Sequence, residues 1–218
     1  QTHRYNMHGR KGREVVESRR YGKVVSVYVF LGHNYFTGKR SGWQLDHELS
    51  GGGVTFNPFI HMMDFARYMA NSEVRSFRGH IGYHKPGFDI EGDVHCMAEF
   101  ESGAAGVVHV DGYGHQTGFW CDVIMEQAAM LVRPNEKRID ILVNGGVAET
   151  IGWANPSRKD EAKGIYGHGG YMGHVIEMRD AIEKAGAITS DGANGRANVV
   201  IARGILEQCG ATLPGPTV

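Results

Sequence analysis

The hydrophobic pattern changes period several times along the chain, and each change marks an element. Residues 8–21 set Lys11, Arg13, Glu14, Arg19 and Arg20 around Val15 and Val16, the pattern of a solvated helix closed by Gly22. Lys23 to Leu31 is β-branched and aromatic, which predicts a strand buried on nearly both faces. Residues 32–53 are polar and glycine-rich around Trp43 and predict a long loop, a feature more often functional than not in a compact domain. Phe56, Phe59, Ile60, Met63, Ala66 and Met69 then fall at helical spacing, so an amphipathic helix is expected over 54–70. Beyond it the period shortens to two. Strands are expected near 73–84, 91–101, 104–113, 118–126, 129–133, 138–143 and 147–150, with turns at Gly103 and at Asn144-Gly145-Gly146. A polar loop follows, then helices over roughly 169–185 and 193–209.

Helices and strands in runs that do not alternate indicate an α+β fold: one large, open-faced, mainly antiparallel sheet with helices packed on one face. Apolar residues alternate onto both sheet faces, so the second face also needs a cover. Self-association as a homodimer or homotetramer supplies one, and lysine at outward strand positions such as Val108 and Val110 is then expected to give monomers.

Composition narrows the class. The 218 residues carry 23 basic and 24 acidic side chains for a net charge of −1, which is globular and gives no electrostatic footprint for nucleic acid. Glycine is abundant, 32 residues or roughly twice ordinary usage, without the period of collagen. Cys96, Cys121 and Cys209 are an odd number without a metal-ligand spacing, which fits a reduced, cytoplasmic protein. No apolar run is long enough to span a bilayer, and the first residues form no signal peptide. The chain does not begin with Met, and we expect a fragment or a processed product, with 1–218 a single domain.

At 51–64 the chain reads Gly-Gly-Gly-Val-Thr-Phe-Asn-Pro-Phe-Ile-His-Met-Met-Asp. This resembles the G-G-G-x-x-x-D-x-x-x-H-x-x-D segment of the glucose-fructose oxidoreductase / inositol dehydrogenase / rhizopine catabolism family. Residues 3–25 resemble the start of that family's C-terminal domain, Glu91-Gly-Asp93 with Glu99 to Gly103 its first hairpin, and the last fifty or so residues its closing helices. The resemblance implies the substrate-binding and oligomerisation domain of an oxidoreductase using NAD or NADP. The N-terminal Rossmann domain of the family, with its glycine fingerprint and a catalytic lysine, has no counterpart in this chain. Gly167-His-Gly169-Gly170-Tyr-Met-Gly173 misses the dinucleotide spacing and follows a polar loop, so it reads as glycine-rich helix initiation and no cofactor-binding residue is expected here.

The resemblance places His61 beside the reacting carbinol. A histidine can exchange a proton near neutral pH or hydrogen-bond a hydroxyl, whereas a lone one is more often a satisfied core residue. Asn57 stands where the family usually has Asp, one turn from His61, and so removes a carboxylate that could charge the imidazole. Asn57 before Pro58 also reads as a helix N-cap. Catalytic work is expected of His61 and Asn57. Asp64 could orient the imidazole or pair with Arg67 on the helix surface. Arg4 and Tyr5 match a family position at the domain junction and are candidate substrate or cofactor contacts; a frayed terminus is the plain alternative. His33, Asn34 and Trp43 lie in a region that supplies hydroxyl-binding groups in the family, and His168 and Tyr171 are candidates of the same kind.

Asp93-Val-His95 and His109-Val-Asp111 each set two potential ligands on one strand face, and paired strands could bring them together around a metal. Ordinary polar alternation explains them as well, and no metal site is expected. The leading expectation is therefore part of an NAD(P)-dependent dehydrogenase acting on a secondary alcohol of a sugar, cyclitol or related polyol, inert by itself. The alternatives are a nucleotide-independent carbohydrate-binding or assembly module, or a His-dependent lyase in the same pocket. No membrane or nucleic-acid partner is expected.

Overall fold

The computed structural model describes residues 1–37, 39–154 and 170–211. The chain opens with a short 3-10 turn, Thr2–Arg4, and helix α1, Met7–Glu17. Strand β1, Val24–Asn34, precedes a loop that carries a 3-10 turn, Gly42–Leu45, and the one-turn helix α2, His47–Ser50. A π turn, Thr55–Phe59, runs directly into α3, Ile60–Ala70. Then come β2 (Val74–Gly82), β3 (Asp93–Phe100), β4 (Ala105–Asp111), β5 (Tyr113–Met125), β6 (Ala129–Arg133), β7 (Arg138–Val143) and β8 (Gly146–Gly152). Helices α4, Tyr171–Lys184, and α5, Gly192–Gln208, follow.

The eight strands form one sheet in the order β2-β3-β4-β1-β5-β6-β7-β8. Neighbours pair antiparallel except β1 with β4, which run parallel. The first strand of the chain thus sits in the middle of the sheet, and Val27, Val29 and Phe30 are all buried. This explains why its sequence is apolar on both sides. Asn144 and Gly145, both at positive φ (51° and 80°), make the tight β7–β8 turn that an Asn-Gly pair favours.

Helix α3 lies across β1, β4 and β5, with α1 beside it over β6 and β7 and α5 over β2. Phe59, Met62, Met63, Phe65, Ala66 and Met69 interdigitate with Val27, Val29, Val108, Val110, Cys121 and Val123 to form the core. Val108 and Val110 are therefore not outward-facing. Alternation along β4 fixes the period but not its phase, and Val108 pairs with Val29 on the helix side. The open face carries the other set: Met97, Val107 and Tyr28 in one cross-strand row, and His95, His109, Phe30 and Trp120 in the next. Met97 is 70% exposed there. In α4 the apolar stripe Tyr171, Val175, Met178 and Ile182 faces solvent.

Candidate active site

The triple glycine leads the chain over Glu91. Gly51 and Gly52 have φ of 77° and 153°, and a β-carbon at Gly53 would lie 2.3 Å from the Glu91 carbonyl oxygen. Immediately after it, Val54 N–H donates to the Glu91 carbonyl (3.2 Å) and Thr55 N–H to Glu91 Oε1 (2.9 Å). The helical run starts here, and Phe59 N–H closes a five-residue turn onto the Val54 carbonyl (2.9 Å) with Pro58 inside it. Asn57 is consequently not an N-cap, contrary to expectation. It lies within the turn, where its side chain faces the Tyr35 phenol.

His61 follows on the first turn of α3 and is half-buried. Its Nδ1 lies 2.6 Å from Gln1 Oε1, so the Nδ1 tautomer donates to the amide oxygen and leaves Nε2 with its lone pair. Among the described residues Nε2 makes no hydrogen bond. Burial holds the imidazole below its ordinary pKa, against a smaller opposite pull from Asp64. Behind it lies the His3 ring, 6.5 Å away between centroids. His3 Nδ1 and His8 Nε2 share a hydrogen bond (3.1 Å), and both rings pack on Phe65 and Phe119. Burial pushes His3 down to about 4 and His8 to about 3, so this pair is neutral. Gln1, His3, His8 and Tyr35 were not singled out from the sequence. The one visible signal was the density of histidine around the His-Arg-Tyr stretch.

Asp64 does not lie on the helix surface. It is fully buried, and its main partner is Arg4, which donates from Nε and Nη2 to the two carboxylate oxygens (2.8 Å each). Arg67 Nη1 is farther, at 3.6 Å, and Asn198 Nδ2 adds a 3.1 Å bond. Arg4 gives its remaining Nη1 to the Thr189 carbonyl (3.0 Å) and stacks over Tyr68. These contacts engage one N–H on each of the three guanidinium nitrogens of Arg4, which carries five in all. Nor is this terminus frayed. Tyr5 is buried, donates to Glu177 and packs at a tilt against the His174 ring.

The remaining candidates divide. His33 is half-buried, with Arg40 Nη2 3.3 Å from its Nε2 and Tyr35 edge-on to its ring, so it joins Asn57 through Tyr35. Asn34 is exposed at the end of β1, and Trp43 is 55% exposed in its own turn. Tyr171 is 72% exposed on the first residue of α4. No hydrogen bond or ring contact joins Asn34, Trp43 or Tyr171 to His61. His168 lies outside the described residues.

Strands β3 and β4 do pair Asp93 with Asp111 and His95 with His109. The histidine rings stack, however, at 3.9 Å and 19°, so their lone pairs do not converge. Among the described residues no group of three or more His, Cys, Asp or Glu could hold a metal ion. At the glycine-rich start of α4 only Gly170 and Gly173 of that segment's glycines are described. A β-carbon at Gly170 would lie 2.3 Å from the Thr2 carbonyl, so this helix start packs on protein; Gly167 and Gly169 lie outside the described residues.

Comparison with known proteins gives the class. The family model of the GFO/IDH/MocA C-terminal domain matches residues 10–131, and the chain belongs to that family. It is 27% identical over 141 residues to 1-carboxy-3-chloro-3,4-dihydroxycyclohexa-1,5-diene dehydrogenase of Comamonas testosteroni, covering 62% of this chain and 35% of that protein. In structure it resembles levoglucosan dehydrogenase in complex with NADH and levoglucosan (TM-score 0.79, 15% identity, 96% of this chain and 62% of the other). It likewise resembles the aldose-aldose oxidoreductase of Caulobacter crescentus complexed with glycerol (TM-score 0.76, 16% identity, 95% and 59%). The chain thus spans about a third of the curated relative's length and under two thirds of these solved chains. Among the described residues no helix is long and apolar enough to cross a membrane.

Proposed function

We propose that this chain is the substrate-binding and self-association domain of an NAD(P)-dependent oxidoreductase acting on a ring-borne secondary alcohol of a sugar, cyclitol or related polyol. The observation that carries the reading is His61: a neutral, half-buried imidazole with Nδ1 held by Gln1 and Nε2 unspent among the described residues, on the helix that follows the triple glycine. Such an Nε2 accepts a hydrogen bond from a substrate hydroxyl and helps to draw off its proton as the carbinol becomes a carbonyl. Nicotinamide, when bound by another part of the intact protein, supplies the hydride acceptor. Asn57, beside Tyr35, lies at the same end of the helix with a neutral amide suited to hydrogen-bonding hydroxyls. The dihydroxy ring in the curated relative's name supports a vicinal ring diol as one substrate type.

The reading is tested on the full-length gene product with a panel of sugars, cyclitols and ring diols, following NAD(P)H absorbance. Turnover of none of them would sink it, as would a gene lacking a G-x-G-x-x-G strand–turn–helix upstream. The 218-residue chain titrated calorimetrically with NAD or NADP should give no binding, and micromolar affinity would place the cofactor site within it.

Self-association belongs to the same proposal. The open face exposes Met97 and carries Tyr28, Val107 and Trp120 around it, an apolar surface that a second copy would cover. Met97→Lys with Val107→Lys sets two charges at its centre. Light scattering at tens of micromolar should show an oligomer for the wild type and monomers for the double variant. A monomeric wild type overturns the assignment.

A further inference from the structure

We infer that Glu91 is a positioning residue for His61, acting as an N-cap supplied from outside the helix. The inference rests on the proposed role of His61. Glu91 is wholly buried, and its backbone and side chain accept the Val54 and Thr55 N–H groups that open the helical run carrying His61. The turn offers little else to fix its start. Pro58 has no N–H, and Val54, at the cap position, has no side-chain oxygen. The glycines are spaced to admit this one residue: β-carbons at Gly52 and Gly53 would meet the Glu91 carboxylate at 3.2 Å and its carbonyl at 2.3 Å.

Glu91 is also anchored to the sheet. Gly92 N–H donates to the Gly82 carbonyl (2.8 Å), Gly112 N–H to the Gly92 carbonyl (2.7 Å) and Tyr35 N–H to the Gly112 carbonyl (2.7 Å). Tyr35 then reaches Asn57. The start of the helix is therefore tied to the ends of β2 and β4 through Glu91, with Tyr35 beside Asn57. Among the described residues Glu91 Oε2 and Thr55 Oγ1 are buried without a hydrogen-bond partner. A buried carboxylate retained with one unpartnered oxygen is an unfavourable way merely to fill space, and the positive end of a helix is what it faces. Its work is to fix the rotation and height of the first turns, and hence where His61 Nε2 points.

The test uses Glu91→Gln, Glu91→Asp and Glu91→Ala in the full-length protein. Glutamine keeps an oxygen at the same reach, aspartate shortens it by one methylene, and alanine removes it. Amide exchange at Thr55–His61 should quicken about tenfold in the Asp and Ala variants, with β4 and β5 unchanged, and remain near wild type in the Gln variant. In turnover, the Asp and Ala variants should lose ~10-fold or more in kcat at nearly constant cofactor KM, because a displacement of about 1 Å at a reacting group can cost ~10²-fold. Glutamine should retain kcat within about threefold. Unchanged exchange over Thr55–His61 in the Asp variant, or a Gln variant as impaired as it, overturns the inference. If the Ala variant does not fold, the Gln and Asp pair decides alone. If His61→Ala proves fully active, the role of His61 fails, and the exchange measurement still judges Glu91 separately.

Discussion

Replacing His61 by alanine in the full-length protein should lower kcat by ~10²-fold or more, the scale of a positioned proton-transfer group, while cofactor affinity stays nearly constant. The imidazole is half-buried and burial depresses its pKa, so it is neutral at pH 7. Its useful form is the free base. Acid therefore removes activity by protonating Nε2, and because the pKa lies below the ordinary 6.5 the loss appears below that pH. The profile of kcat/KM against pH should show this acid limb in the wild type and lack it in the variant. An unchanged rate in His61→Ala would make His61 a packing residue between His3 and the substrate side of α3.

Much of the framework was legible because it is written in local period. Strands β2 to β8 were expected near where they lie, except that β5 begins at Tyr113, five residues before the expected 118, and Gly103 and Asn144-Gly145 occupy turns that need positive φ. The central place of β1 was not legible. Its partners β4 and β5 lie far along the chain, and no local pattern distinguishes a parallel neighbour from an antiparallel one. The stripe of α4 was legible as apolar but not as exposed, since periodicity says that a face is to be covered and not by what. At the site the same limit recurs. The glycines and His61 stand together in sequence, whereas Glu91, Tyr35 and Gln1 reach them only through the fold. Asn57 misled for a related reason: Asn-Pro is a good cap in isolation, but Glu91 takes the donors and moves the helix start back to Thr55.

Asp64 shows how large such a non-local effect can be. An acid three residues before Arg67 on a helix reads as a surface pair, which contributes little. Here the carboxylate is fully buried and bridges three parts of the chain, Arg4 in the N-terminal turn, its own helix α3, and Asn198 in α5. Asp64→Ala leaves the guanidinium of Arg4, with only 10% of its side chain exposed, and that of Arg67, at 3%, without their shared countercharge. Removing one partner of a buried pair costs about 3–5 kcal/mol, because the other charge remains desolvated. Arg67 keeps Glu73 and Asn198, and Arg4 keeps the Thr189 carbonyl, so the lower end of that range is expected. Urea unfolding followed by tryptophan fluorescence should show a clearly lower midpoint for Asp64→Ala at an unchanged slope. Arg203→Ala, which breaks an exposed helical pair with Glu207, should leave the midpoint where it was. Equal midpoints for Asp64→Ala and wild type would mean that the N-terminal turn is held to α3 by its histidine and tyrosine packing and not by this ion pair.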